Sequence, residues 1–199
     1  SELEENQWRV VRTPAFKKWF GDWEKAAREY RDRKYPTFEK ALKANGVSMV
    51  VNQKTGEPLV VYHGTDNEFN VFEPTRPNYY KETEGWYFFT DKKNAAERFG
   101  KTKEYFLNID NPTYETQGRF ITWSLYNEEG NYGFITKNTD TGAGFADEYV
   151  VEQPTQIKLA DGSNTTFSPT NPDIRFQLDD IYHGSPHDFD RFSTANIGT

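Results

Sequence analysis

Gly85 to Asp91 reads GWYFFTD, and the chain continues from Lys92 to Gly100 as KKNAAERFG. A run of aromatics this short predicts a strand, on which successive side chains point to opposite faces. Tyr87 and Phe89 then share one face, and Trp86 and Phe88 share the other. One face belongs to the core; the other offers a surface on which a flat ring can stack. The segment from Asp91 to Phe99 reads as a short helix stopped by Gly100, with Phe99 as a core anchor.

Working outward, the texture of short strands persists. Upstream, Ser48 to Val51 and PLVVYHGT (Pro58 to Thr65) flank the turn Lys54-Thr55-Gly56-Glu57, a hairpin pattern. Downstream, strands are expected at Glu104 to Ile109, around Phe120 to Leu125, at Glu148 to Val151 and at Gln156 to Leu159, the last turning through Asp161-Gly162. KNTDTGAGFAD, Lys137 to Asp147, reads as a loop because of its Gly, Thr and Asn content. The front of the chain differs. Phe16, Trp19, Phe20, Trp23, Ala27 and Tyr30 recur at helical steps, with Thr13 placed to cap, Pro14 at the first helical position and Gly21-Asp22 as an interruption. A second helix, Phe38 to Ala44, ends at Asn45-Gly46. Helices in front and short strands behind make an α+β fold.

The 199 residues carry 24 Lys and Arg against 31 Asp and Glu, a net charge of −7. That balance argues against a general nucleic-acid coat or an anionic-membrane binder, while leaving room for a local basic groove. Cysteine is absent, which excludes disulfides, thiol nucleophiles and Cys-ligated zinc. No apolar run approaches the length of a membrane span, and Ser1 to Val10 has no signal-peptide pattern.

Tyr62-His63-Gly64-Thr65-Asp66-Asn67-Glu68-Phe69-Asn70-Val71-Phe72 aligns without a gap on Tyr182-His183-Gly184-Ser185-Pro186-His187-Asp188-Phe189-Asp190-Arg191-Phe192. The expected organisation is therefore a helical element at 1–47, one complete unit at 48–178, and at 179–199 the truncated start of a second, similar unit. On this reading the chain is a fragment.

His63 ends an apolar strand, where a histidine serves either as a structural hydrogen-bonder or as a ligand group. Gly64 either makes a plain turn or lets a ligand approach its main chain. Glu148, Glu152 and Asp147 are equally available carboxylates. No HExxH, P-loop or GxGxxG is present, nor a credible three-ligand metal cluster.

VYHGT (Val61 to Thr65), EGWYFFTD (Glu84 to Asp91) with the helix NAAERF, and DEYVVEQPTQIK (Asp147 to Lys158) together resemble the three signature segments of the ADP-ribosyltransferase superfamily. The branch they resemble is the His-Tyr-Glu one of diphtheria toxin and the poly(ADP-ribose) polymerases. PAFKKWFGDW at the front and NPDIRFQ at Asn171 to Gln177 are similar to the transferase modules of phage and prophage polyvalent proteins. The resemblance implies a split β-sheet core with an N-terminal helical element, and NAD+ as co-substrate without a metal. It implies that His63 bonds the adenosine ribose, that Gly64 holds the nicotinamide carboxamide and that Thr65 adds a hydroxyl. Tyr87 and Phe99 would sandwich the nicotinamide ring, Arg76 would contact the pyrophosphate from the loop Glu73 to Glu84, and Glu148 would bind the 2′-hydroxyl of the nicotinamide ribose.

The function so implied is mono-ADP-ribosyl transfer to a host macromolecule, protein in preference to nucleic acid. It would take place in the bacterial cytoplasm after phage injection or prophage expression, with no membrane partner. NAD+ glycohydrolysis and a catalytically silent interaction module are the alternatives. The loop before Glu148 is where toxins of the superfamily recognise their targets. Arginine-directed members carry a second carboxylate two residues before the catalytic one; here that position is Ala146, so arginine modification is disfavoured, with Asp147 next to it.

Overall fold

The computed structural model describes residues 1–73, 85–116 and 133–175. Arg76, the strand expected near Phe120 to Leu125, and the second copy at 179–199 lie outside these residues.

Four short helices lead in: α1 (Glu5–Val10), α2 (Pro14–Phe20), α3 (Trp23–Arg31) and α4 (Phe38–Ala44). The cap expected at Thr13 forms, and Asp22 and Thr37 cap the next two helices. Thr13, Asp22 and Thr37 side chains accept the Phe16, Lys25 and Lys40 N–H groups, each satisfying a donor that the first helical turn leaves unpaired. Gly21 separates α2 from α3 at φ 98°, and a Cβ there would come within 2.5 Å of the Val47 Cα. Helix α1 was not expected; reciprocal capping between Glu4 and Gln7 starts it.

Seven described strands form one sheet: β1 (Val61–Gly64), β2 (Tyr87–Thr90), β3 (Thr102–Leu107), β4 (Thr113–Thr116), β5 (Phe134–Asp140), β6 (Phe145–Val151) and β7 (Ile157–Leu159), in the order β4-β5-β6-β2-β1-β3-β7. Only β4–β5 is parallel. The sheet has a seam in its middle, because β1 and β2 keep register at Tyr62↔Thr90 alone. On either side of it, β2 pairs with β6 at four positions and β1 with β3 at four. The resulting architecture is α+β, and its divided sheet is consistent with the split β-sheet core that the resemblance implies.

The helices and the sheet share a hydrophobic core. Phe16 meets Phe20, Phe106 and Phe167 with ring centroids 5.0, 5.1 and 4.9 Å apart. The Trp19 indole N–H donates to Thr155 O at 3.0 Å. Val61, Tyr87, Phe89, Tyr105, Ile135 and Tyr149 contribute the sheet's side of this core.

Two expectations change. The hairpin of Ser48–Val51 with Pro58–Thr65 contracts to the isolated bridge Val51↔Pro58. Ser48 limits it: its hydroxyl donates to Leu107 O at 2.8 Å and accepts from Ile109 N–H at 3.0 Å, tying the start of this segment to the end of β3, while Leu59 N–H donates to Val50 O at 3.0 Å and Asn52 N–H to Glu57 O at 2.8 Å across the turn. Lys137 to Asp147 is not a loop. Its two ends belong to β5 and β6, and the turn between them is 141–144. Polar composition misleads here because a bulge between Thr136 and Thr139 absorbs the irregularity, with Asn138 at φ 57°. Asp147 secures the bulge, accepting Asn138 N–H at 3.0 Å and Lys137 Nζ at 2.6 Å.

Beyond β7, residues 164–175 strap the sheet edge. Ile174 O accepts Leu159 N–H at 2.9 Å, and Ile174 N–H donates to Asn70 O at 2.8 Å. Lys158, fully buried, donates to Asn171 O at 2.6 Å and to Asp173 O at 3.0 Å.

Candidate active site

Residues directly opposite in an antiparallel ladder share a face, so the register sorts the site residues. Tyr62↔Thr90 and Thr90↔Glu148 place Tyr62, Gly64, Phe88, Thr90 and Glu148 on one face. Val61, His63, Tyr87, Phe89 and Tyr149 lie on the other, which is the core.

The seam is built by His63. Thr65 N–H donates to Lys101 O at 2.9 Å, continuing the β1–β3 register in which His63 faces Lys103. Main-chain groups alternate in direction along a strand, so those of Tyr62 and Gly64 point the other way, toward β2. After the Tyr62↔Thr90 pair, the next ladder partner of Gly64 would be Phe88. Instead, Phe88 O lies 2.8 Å from His63 Nδ1. A carbonyl only accepts, so Nδ1 carries the proton and a neutral ring keeps Nε2 as an acceptor. The imidazole thus takes the ladder bond, and the Gly64 N–H and C=O are left facing the gap. Burial holds the His63 pKa below its ordinary value, against the opposing effect of the Phe88 bond, which keeps the ring neutral near pH 7. Phe72 and Phe89 pack around it at 5.2 and 5.3 Å.

Gly64 has a packing role of its own. A Cβ there would overlap the Ala96 carbonyl at the end of α5 (Lys93–Ala96) and approach Phe99 Cβ to 3.4 Å. The close neighbour on its face is the chain itself, and the glycine sets the 3₁₀ turn Glu97–Phe99 against β1. Thr65 Oγ1 accepts Asn67 N–H at 3.1 Å, with its O–H still available to donate.

Tyr87, which the resemblance assigns to the nicotinamide ring, faces inward. Its ring is in the core, 9% exposed, and its hydroxyl donates to Phe72 O at 3.0 Å. Strand alternation sends Tyr87 inward with Phe89 and sends Phe88 outward, where it is 43% exposed. Phe99, read from the sequence as a core anchor and from the resemblance as a ring wall, is 72% exposed. The exposed aromatics flanking Gly64 are therefore Phe88 and Phe99.

The structure separates the three carboxylates. Asp147 is committed to Lys137 and Asn138 on the face opposite Glu148. Glu152 accepts the Trp86 indole N–H at 2.7 Å. Glu148 lies on the Gly64 and Phe88 face, half-buried, and burial raises its pKa against the lowering effect of the neighbouring Thr139 hydroxyl. Two residues earlier on this face stands Ala146, which offers no second carboxylate.

Two side chains that sequence reading did not single out bracket the same face. Arg98 Nη1 donates to Thr141 O, and Asn94 Nδ2 donates to Ala143 O at 3.2 Å. These bonds join the segment carrying Phe99 to the tip of the β5–β6 hairpin. Nothing in the sequence pairs them, because the partners are main-chain carbonyls more than forty residues away.

Residues 53–147 match the family model described as ADP-ribosyltransferase in polyvalent proteins. No curated protein and no solved structure matches the chain.

Proposed function

We propose, on the premise that residues 53–147 belong to the ADP-ribosyltransferase family of polyvalent proteins, that this protein transfers a single ADP-ribose from NAD+ to a macromolecular acceptor, preferably a protein, and releases nicotinamide. The observation that carries this reading is the replacement of a ladder bond by the His63 side chain. It leaves a main-chain donor and acceptor at Gly64 facing the gap, on the face that also holds Glu148. A planar carboxamide needs one donor and one acceptor side by side, which is what a strand residue with an unused edge supplies.

Cleavage of the C1′–N bond expels neutral nicotinamide and leaves an oxocarbenium-like ribose. Ionised Glu148 opposes that positive charge as it develops, stabilising the transition state more than the ground state. His63, whose side chain lies on the core face, acts at one remove: its neutral ring holds Phe88 O and so leaves the Gly64 main chain facing the gap. Phe88 and Phe99 hold the leaving ring by stacking, in place of the Tyr87 and Phe99 pair. Thr65 supplies a further hydroxyl.

Radiolabelled NAD+ incubated with the protein and a bacterial lysate, beside Glu148→Gln, tests the reading. Label on lysate protein together with nicotinamide release, both from wild type only, is the expected result. Nicotinamide release without label would make the protein a glycohydrolase, and no release from wild type would overturn the enzymatic reading.

The choice of wall residues is checked separately. Phe88→Ala is expected to raise KM for NAD+ about tenfold, the loss of one ring-stacking contact of about 1–1.5 kcal/mol, with little change in Tm. Tyr87→Phe is expected to do the reverse. It removes the bond to Phe72 O, costs about 1 kcal/mol of stability and leaves KM unchanged. A KM rise in Tyr87→Ala with none in Phe88→Ala would restore Tyr87 to the ring site.

A further inference from the structure

The turn of the β5–β6 hairpin, 141–144, ends two residues before Ala146 and four before Glu148, so the tip borders the face on which the ribose would be activated. A free tip of Thr, Gly and Ala would sample many conformations at little cost. Here it is held. Arg98 donates to Thr141 O and Asn94 to Ala143 O, one bond to each side of Gly142. Gly142 stands at φ 72°, and a Cβ there would come 2.5 Å from Arg98 Nη1, so the tip accommodates the guanidinium only without a side chain at this position. Within the tip, Thr141 N–H donates to Gly144 O at 3.1 Å and Thr141 Oγ1 to the same carbonyl at 2.7 Å, so the held segment is a closed turn. The other end of the link is equally constrained. Arg98 lies in the turn Glu97–Phe99, whose position against β1 depends on the close approach of Ala96 to Gly64. A continuous path thus runs from the main chain of Gly64, through Ala96 and Arg98, to the hairpin.

We propose that Arg98, assisted by Asn94, is a positioning residue that holds the β5–β6 hairpin where an acceptor docks, and so decides whether the activated ribose is captured by the acceptor or by water. This rests on the transferase reading above. In both outcomes the C1′–N bond breaks with its electron pair leaving on nicotinamide. The new bond to C1′ comes from an acceptor nucleophile in one case and from water oxygen in the other, and either nucleophile loses a proton. Neither Arg98 nor Asn94 reaches the donor-side groups of His63, Gly64 or Glu148 through any bond described, so the link acts on partition rather than on cleavage.

The experiment compares wild type, Arg98→Ala, Arg98→Lys and Asn94→Ala in the labelled NAD+ and lysate assay, measuring nicotinamide released and label transferred in the same sample. For Arg98→Ala, release is expected to stay within about twofold of wild type, while label transferred per nicotinamide released falls about tenfold, the equivalent of one charge-assisted hydrogen bond. Arg98→Lys, which keeps the charge but not the fork, should recover part of that ratio, and Asn94→Ala should lose less than Arg98→Ala. Amide exchange at 141–144 should quicken in Arg98→Ala, which confirms that the tip was released. An unchanged ratio with quickened exchange overturns the inference, as does an equal fall of release and label. A wild type that releases nicotinamide and labels lysate protein while the Arg98→Ala ratio is unchanged removes this inference alone. A wild type that releases none removes the transferase reading and this inference with it.

Discussion

Glu148→Gln is expected to lower nicotinamide release by about 10²–10³-fold, the usual cost of deleting one preorganised electrostatic contact with a developing charge. The amide keeps the shape and a hydrogen-bonding oxygen, so NAD+ binding should change far less than turnover. Calorimetric Kd beside kcat separates the two. Burial raises the Glu148 pKa, which means that the folded protein prefers the protonated carboxyl and that its ionised form is held at a cost. For a folded-state pKa above the unfolded one, this group's contribution to stability falls as pH rises through that window. Removing the charge should therefore leave Tm at neutral pH equal to or above that of wild type. The same shift sets an acid limb on activity. Turnover should decline below a pH higher than the ordinary glutamate value. A Glu148→Gln enzyme with wild-type turnover would remove the mechanism.

Lys158→Met is expected to cost about 2–5 kcal/mol at pH 7, read as a lower urea midpoint with an unchanged m-value. The methionine fills the volume but leaves the carbonyls of Asn171 and Asp173 without the donor that Lys158 Nζ supplies at 2.6 and 3.0 Å. Those carbonyls hold the strap whose Ile174 N–H reaches Asn70, in the segment that carries Phe72 onto His63. Loss of stability should accordingly come with weaker NAD+ binding. Burial lowers the Lys158 pKa to about 8, with Asp173 opposing, from 10.5 in the open chain. Between these values the unfolded chain binds more protons than the folded one, so this group makes stability rise with pH from about 8 to about 10.5. That rise should be present in wild type and missing in Lys158→Met. A methionine variant as stable as wild type would show that water or a rearranged strap satisfies both carbonyls.

The path from sequence to site succeeds and fails for identifiable reasons. The helix cap at Thr13 is a local signal, and the structure places it, with Asp22 and Thr37 as further caps. The division of GWYFFTD into two faces is equally local. Which face is inward is not local, and the resemblance assigned the ring site to Tyr87 on the inward one. The Lys137–Asp147 segment misled because a bulged hairpin has the composition of a loop. Its pairing depends on Asp147 gripping Asn138 and Lys137 across the strands. Lys158 ends a segment that resembles a family motif, while its role comes from two carbonyls more than ten residues further on.

By itself, then, the sequence determined the α+β class and the helical lead-in, because propensity, capping and strand alternation act over a few residues, and its resemblance nominated His63, Gly64, Thr65, Arg76, Tyr87, Phe99 and Glu148. Only the tertiary structure decided that His63 takes the bond to Phe88 O, that Gly64 faces the gap, and that Glu148 rather than Asp147 or Glu152 shares its face. Those outcomes depend on strand register and on main-chain partners brought together across the sheet, and a side chain's neighbours across a sheet are set by pairing, not by its own place in the chain.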